Sequence, residues 1–126
     1  VIFSFSKSMR LGVDMESTRR PVNNLDIARR YFSKLENQII NLCPSIQQRC
    51  DYFIRAWTKR EAVFKALDLP WHVLINAMKT NQLSIYSHDC IGGESIHIHE
   101  ACWNHHIITL ATRKAPKRIQ MIQYNG

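Results

Sequence analysis

Two short stretches hold the side chains best suited to chemistry. Gly12-Val13-Asp14-Met15-Glu16 sets two carboxylates one residue apart, and Trp57-Thr58-Lys59-Arg60-Glu61-Ala62-Val63-Phe64-Lys65 sets an acid four residues ahead of a lysine. On a strand, residues i and i+2 share a side, so Asp14 and Glu16 would face one space. Their mutual repulsion is unfavourable unless a cation or a basic side chain offsets it. With Trp57 at the origin of a helical wheel, Cys50, Phe53, Ile54 and Phe64 fall within ~60°, forming an apolar stripe. Glu61 falls ~40° from Trp57, inside that stripe, and Lys65 ~80° away, on its margin. An ionised acid there must neutralise, pair or bind a metal. Three oxygen-donor acids, with water and phosphate completing the shell, are how Mg²⁺ is usually held. A solvated turn at Asp14 and Glu16, with a Glu61–Lys65 surface pair worth only ~0.2–0.5 kcal/mol, is the plainer alternative.

Those residues need elements to hold them. Val1–Ser6 reads as a strand, bending near Lys7-Ser8 and continuing over Leu11–Met15. A polar loop, "STRRPVNN", follows. Asn24 can cap a short helix through Tyr31, with Leu25, Ala28 and Phe32 at helical spacing. Ser33 and Glu36 make a capping box for a second helix toward Leu42. Pro44 interrupts it, and Ser45 with Gln48 opens the longest helix, about Ile46 to Leu67. "VLINAMK" suits a short helix or a loop. "QLSIYSH", "SIHIHEACW" and "HIITLATRK" alternate like antiparallel strands, with Gly92-Gly93 as a hairpin turn, and "RIQMIQY" reads as a last strand. The expected fold is α+β, an antiparallel sheet packed against one long helix, in a single domain spanning residues 1–126.

The chain has 126 residues, 45% of them hydrophobic, enough for one real core. A formal charge of +7 favours an anionic partner: a phosphorylated cofactor, an acidic protein, nucleic acid or a membrane surface. No apolar run approaches the ~20 residues that span a bilayer, and no signal peptide is evident. Cys43, Cys50, Cys90 and Cys102 form no paired-cysteine motif, which suits reduced, mostly buried thiols in a cytoplasmic protein. His97 and His99 share a strand face near Cys102; a solvated face is preferred to a metal site there.

In order and spacing, "LGVDME", "IARRYFSKLE" and "DYFIRAWTKREAVFKAL" resemble the 4′-phosphopantetheinyl transferases, in particular the C-terminal half of the larger, Sfp-like type. The family patterns are Gly-Val/Ile-Asp-x-Glu, then Phe-Ser/Thr-x-x-Glu, then Trp-Ser/Thr-x-Lys-Glu-Ala/Ser-x-x-Lys, and "HHIITLATRKAPKRIQMIQY" is similar to its final strands. The resemblance implies transfer of the phosphopantetheine arm of coenzyme A to a carrier-protein serine, leaving 3′,5′-adenosine bisphosphate. It implies that Asp14, Glu16 and Glu61 hold Mg²⁺ and that Glu61 helps to deprotonate the serine. Lys65 would contact phosphate, with Arg60 and Lys59 carrying the charge of the motif lysine. Arg19 and Arg20, just after the acidic pair, would add phosphate or partner contacts or else belong to a solvated loop. Acyl or peptidyl carrier protein and coenzyme A are the implied partners, with no membrane and no nucleic acid.

Three departures qualify the resemblance. Arg60 replaces the motif lysine, and the two are not equivalent donors at a tight phosphate site. "LDLPW" stands where the family shows a glycine-rich turn. The half bearing the family's serine-histidine motif has no counterpart here, so the chain is expected to be a fragment, a homo-oligomer that builds its site between copies, or a half-domain of little activity. The alternatives are a carrier-binding half-domain without catalysis and a basic nucleic-acid-binding module whose binding falls steeply with salt.

Overall fold

The computed structural model describes residues 2–4, 6–7, 9–19, 24–80, 88–91 and 94–123. Strand β1 (Leu11–Ser17) is followed by helices α1 (Asn24–Tyr31), α2 (Lys34–Leu42), α3 (Ile46–Ala66) and α4 (Trp71–Thr80), then by β2 (His88–Ile91), β3 (Glu94–Trp103) and β4 (His106–Thr112). The strands form one antiparallel sheet in the order β1-β4-β3-β2, so the first strand lies beside the last. The α+β architecture expected from the sequence is the one observed.

Local chemistry explains the helix ends. The Ser33 hydroxyl accepts from the Glu36 N–H at 3.2 Å while the Glu36 carboxylate accepts from the Ser33 N–H at 2.8 Å, a complete capping box. Ser45 accepts from the Gln48 N–H at 3.1 Å and starts α3. The α1–α2 corner is tied by Asn37, whose amide donates to the carbonyls of Ala28, Phe32 and Ser33.

Helix α3 is the axis of the molecule, buried on two sides by two different layers. Its N-terminal half packs Phe53, Ile54 and Ala56 with Ala28 and Phe32 of the α1 region, Ile40 of α2 and Ile107 of β4. Its C-terminal half packs Ala62, Val63 and Ala66 on Ile96, Ile98 and Ala111 of the sheet. This corrects the single stripe expected around Trp57. Phe64, placed in that stripe, is 37% exposed, and Trp57 is half-buried. The sheet-facing positions are instead small residues, because β1 lies against the helix backbone. A Cβ on Gly12 would stand 2.1 Å from the Ala62 carbonyl oxygen, 2.6 Å from the Ala66 nitrogen and 2.7 Å from Lys65 Cβ. No side chain fits there.

Three strand expectations need comment. The described residues of Val1–Ser6 form no strand; the Ser6 hydroxyl accepts from the Met9 N–H at 3.2 Å in a local turn, and pairing begins at Leu11 opposite Thr112. Residues 118–123 run outside the sheet, with Ile119, Met121 and Ile122 exposed. Apolar alternation is only half of a strand; the other half is a partner edge. Gly92-Gly93, residues 81–87 and Tyr124 lie outside the described residues. The segment "VLINAMK" falls within helix α4.

Gly12→Ala tests the close approach. It should cost at least the ~1–3 kcal/mol of ordinary overpacking, since its first contacts are backbone atoms that cannot rotate away. A fall in the urea midpoint at unchanged m-value is the expected reading.

Candidate active site at the crossing of β1 and α3

The even-numbered residues of β1 face α3, and the ladder aligns them with inward residues of the neighbouring strands. Gly12 lies opposite Ala111, Asp14 opposite Thr109 and Glu16 opposite Ile107. Asp14, Thr109 and Glu100 therefore form a polar row across the inner face. Helix α3 meets this row with matching groups. Thr109 donates its hydroxyl to that of Thr58 at 3.1 Å, and Arg55 and Lys59 pair with Glu100.

Asp14 is 9% exposed, and its two oxygens have different fates. Oδ1 accepts from the Lys65 ammonium at 2.8 Å, which also donates to the Val13 carbonyl at 3.1 Å. Oδ2 is buried and has no hydrogen-bond partner among the described residues. A buried carboxylate oxygen left unsatisfied is costly, and a donor or cation at that position would relieve it. Glu61, one turn before Lys65, is half-buried. Its carboxyl is pushed above the ordinary value of 4.5, chiefly by desolvation, then by the charge of Asp14, and further by Glu16, while Lys65 pulls it down. Asp14, Glu16, Glu61 and Lys65 thus share one electrostatic site. The surface Glu61–Lys65 pair considered as an alternative is not what forms, since the lysine is drawn across to the strand.

The remaining basic residues of the motif point elsewhere. Arg60 is 2% exposed and donates to Glu36 Oε2 at 2.5 Å and to the Ala56 carbonyl at 3.0 Å, with its guanidinium 4.1 Å over the Phe32 ring. It is the internal counter-ion of the capping-box acid. Lys59 is also buried, 3.9 Å from Glu100, and its pKa is lowered mainly by desolvation and then by Arg55. Neither side chain offers its charge to solvent. Arg19 is exposed just beyond β1 and donates to His105 Nε2 at 2.7 Å, while Arg20 lies outside the described residues.

The family pattern over these elements is decisive. A profile of the 4′-phosphopantetheinyl transferase superfamily matches residues 10–116, from the start of β1 to beyond β4. The chain belongs to this superfamily. No curated relative matches it. Phosphopantetheinyl transferases move the phosphopantetheine arm of coenzyme A to carrier proteins, and the chain is a transferase domain of that kind.

Among the described residues, no three carboxylate, His or Cys side chains stand ready as a metal cage. The donor chemistry of this transferase domain nevertheless fits a hard divalent cation. Asp14 presents a buried oxygen with no hydrogen-bond partner among the described residues, the Glu61 carboxyl is raised first by desolvation and then by Asp14, and the cation seen at Asp14 is the Lys65 side chain. The thiols are less buried than expected: Cys43 and Cys50 are half-buried and Cys102 is exposed on the α3 side, 3.5 Å from an Arg55 nitrogen. His97 and His99 occupy the other face of β3; the His99 pKa is lowered by burial and then by His97. No described helix is long and apolar enough to cross a membrane. Sequence reasoning missed the partnership of Glu36 with Arg60, which joins residues 24 positions apart. It also missed a surface hollow lined by Asp26, Ile27, Arg30, Tyr31 and Trp57, which no motif announces.

Two outcomes follow from these placements. Raised in the fold, the Glu61 carboxyl contributes stability that is complete below 4.5 and is lost as pH rises through its folded value. Glu61→Gln should therefore melt higher than the wild type near neutral pH, and the difference should vanish in acid. Arg60→Ala leaves Glu36 buried and unpaired, so chemical unfolding should report a loss of roughly 3–5 kcal/mol.

Proposed function

We propose that the chain catalyses Mg²⁺-dependent transfer of 4′-phosphopantetheine from coenzyme A to a serine of an apo acyl or peptidyl carrier protein, as a holo-carrier-protein synthase of cytoplasmic metabolism. The observation that carries this reading is the convergence of Asp14, Glu16, Glu61 and Lys65 at the crossing of β1 and α3. Membership of the superfamily gives that convergence its meaning.

Asp14, Glu16 and Glu61 would hold the metal. When bound, Mg²⁺ would neutralise charge on the pyrophosphate oxygens of coenzyme A. Glu61 is suited to accept the serine proton, because a carboxyl lifted above its ordinary value is a stronger base near neutrality. The serine oxygen then bonds to the β-phosphorus as the bond to the leaving phosphate of 3′,5′-adenosine bisphosphate breaks. Lys65, on a half-exposed side chain, can donate to the phosphate oxygens as charge develops there. Arg60 and Lys59 serve this site indirectly by fixing α3, and Arg19 is the exposed basic group at the end of β1. The net charge of +7 suits a polyanionic cofactor and an acidic carrier. A companion half or a second copy of the chain would complete the coenzyme pocket.

Incubation with coenzyme A, Mg²⁺ and an apo carrier protein should give a carrier heavier by one phosphopantetheinyl arm. Asp14→Ala and Glu61→Ala should each slow the transfer by about 10²–10⁴-fold. Full activity in either variant, measured by intact mass over time, would refute the site. Carrier binding without any transfer at high protein concentration would mark a non-catalytic half-domain.

A further inference from the structure

Lys65 stands where a cation would be needed. Its ammonium donates to a carboxylate oxygen of Asp14 at 2.8 Å and to the main-chain carbonyl of Val13 at 3.1 Å. Those are two hard oxygen donors of the kind a divalent cation takes. The pair is asymmetric: the Asp14 side chain is 12% exposed, whereas that of Lys65 is 47% exposed. The acid is fixed and the base is free to leave into solvent. The Arg60–Glu36 pair differs, because both of its side chains are almost wholly buried and neither can withdraw. Gly12 supports the arrangement, since its missing Cβ lets the stem of Lys65 lie against β1.

We propose that Lys65 is a built-in placeholder: it neutralises Asp14 while no metal is bound, yields that place to a divalent cation, and then turns its charge to an anionic phosphate. This rests on reading Asp14 as a metal ligand. An ammonium and a divalent cation cannot share one carboxylate without repulsion, so each disfavours the other there. The remaining acids strengthen the exchange. Glu61 and Glu16 face the same site, and Lys65 is the charge that pulls the Glu61 carboxyl down. A divalent ion can offset all three carboxylates better than one ammonium can. Because linkage is reciprocal, a phosphate that draws Lys65 away must also favour metal binding. The lysine thereby couples metal and phosphate capture without touching both at once.

The test is calorimetric titration of the full chain with Mn²⁺ alone. Removing the placeholder should tighten binding, so Lys65→Ala and Lys65→Gln should each bind Mn²⁺ about fivefold or more tightly than the wild type. Lys79→Ala, which removes an exposed positive charge from α4, should stay within about twofold of wild type, so that general electrostatics are controlled. Asp14→Asn should abolish the binding in either background. Equal or weaker Mn²⁺ binding in both Lys65 variants, with wild-type binding intact, overturns the placeholder alone. Absence of Asp14-dependent binding in every variant overturns the metal reading and the placeholder together. Wild-type circular dichroism in the Lys65 variants ties either result to the site.

Discussion

The contact of Gly12 with the backbone of α3 constrains everything around it. A strand normally stands off a helix by the thickness of two side-chain layers. Here one layer is missing, and the Ala62 carbonyl sits where a Cβ would be. The helix must then present small residues to the sheet, which it does with Ala62 and Ala66. The residues flanking this contact, Asp14 on the strand and Lys65 on the helix, are brought within hydrogen-bonding reach. This ion pair is thus made possible by the absence of a methyl group two residues away.

Two ion pairs on α3 illustrate opposite uses of the same chemistry. Arg60 with Glu36 is dry, stacked on Phe32 and tied into a helix cap, so it fixes how the helical layer sits on α3. Buried pairs of this kind add little net stability but are severe when broken. Lys65 with Asp14 is half wet and leaves one carboxylate oxygen without a hydrogen-bond partner among the described residues. The first pair belongs to the architecture; the second is held together loosely enough to be exchanged. Both arise from one motif, five residues apart on the same helix, and differ only in which layer covers them.

Much of this was legible in the sequence. The caps at Ser33 and Ser45 were readable because capping is local, needing only a hydroxyl and the next turn. The shared face of Asp14 and Glu16 followed from strand geometry, and the acid-lysine spacing on α3 from helix geometry. The wheel centred on Trp57 misjudged burial, because it presumed one covering layer where α3 has two, and large aromatics mark only the helical one. The fate of Arg60 was hidden for a similar reason. Its partner lies in another helix, and a charge count does not distinguish a ligand-facing arginine from an internal counter-ion. The end strands were over-read, since alternation in Val1–Ser6 and in residues 118–123 says nothing about an available edge.

The order of strands has a consequence in time. β1 carries Asp14 and Glu16 near the start of the chain, yet its ladder partner is β4, with Leu11 opposite Thr112. A ribosome delivers the two acids before the four helices, and the strand that holds them after all of those helices. Until β4 arrives, β1 has the flank of α3 to rest on, and closing so long a loop is entropically slow. The acidic pocket therefore waits on β4, which follows every helix of the domain. A nascent chain stalled before residue 106 would carry every acid and lysine of the site while lacking the strand that aligns them.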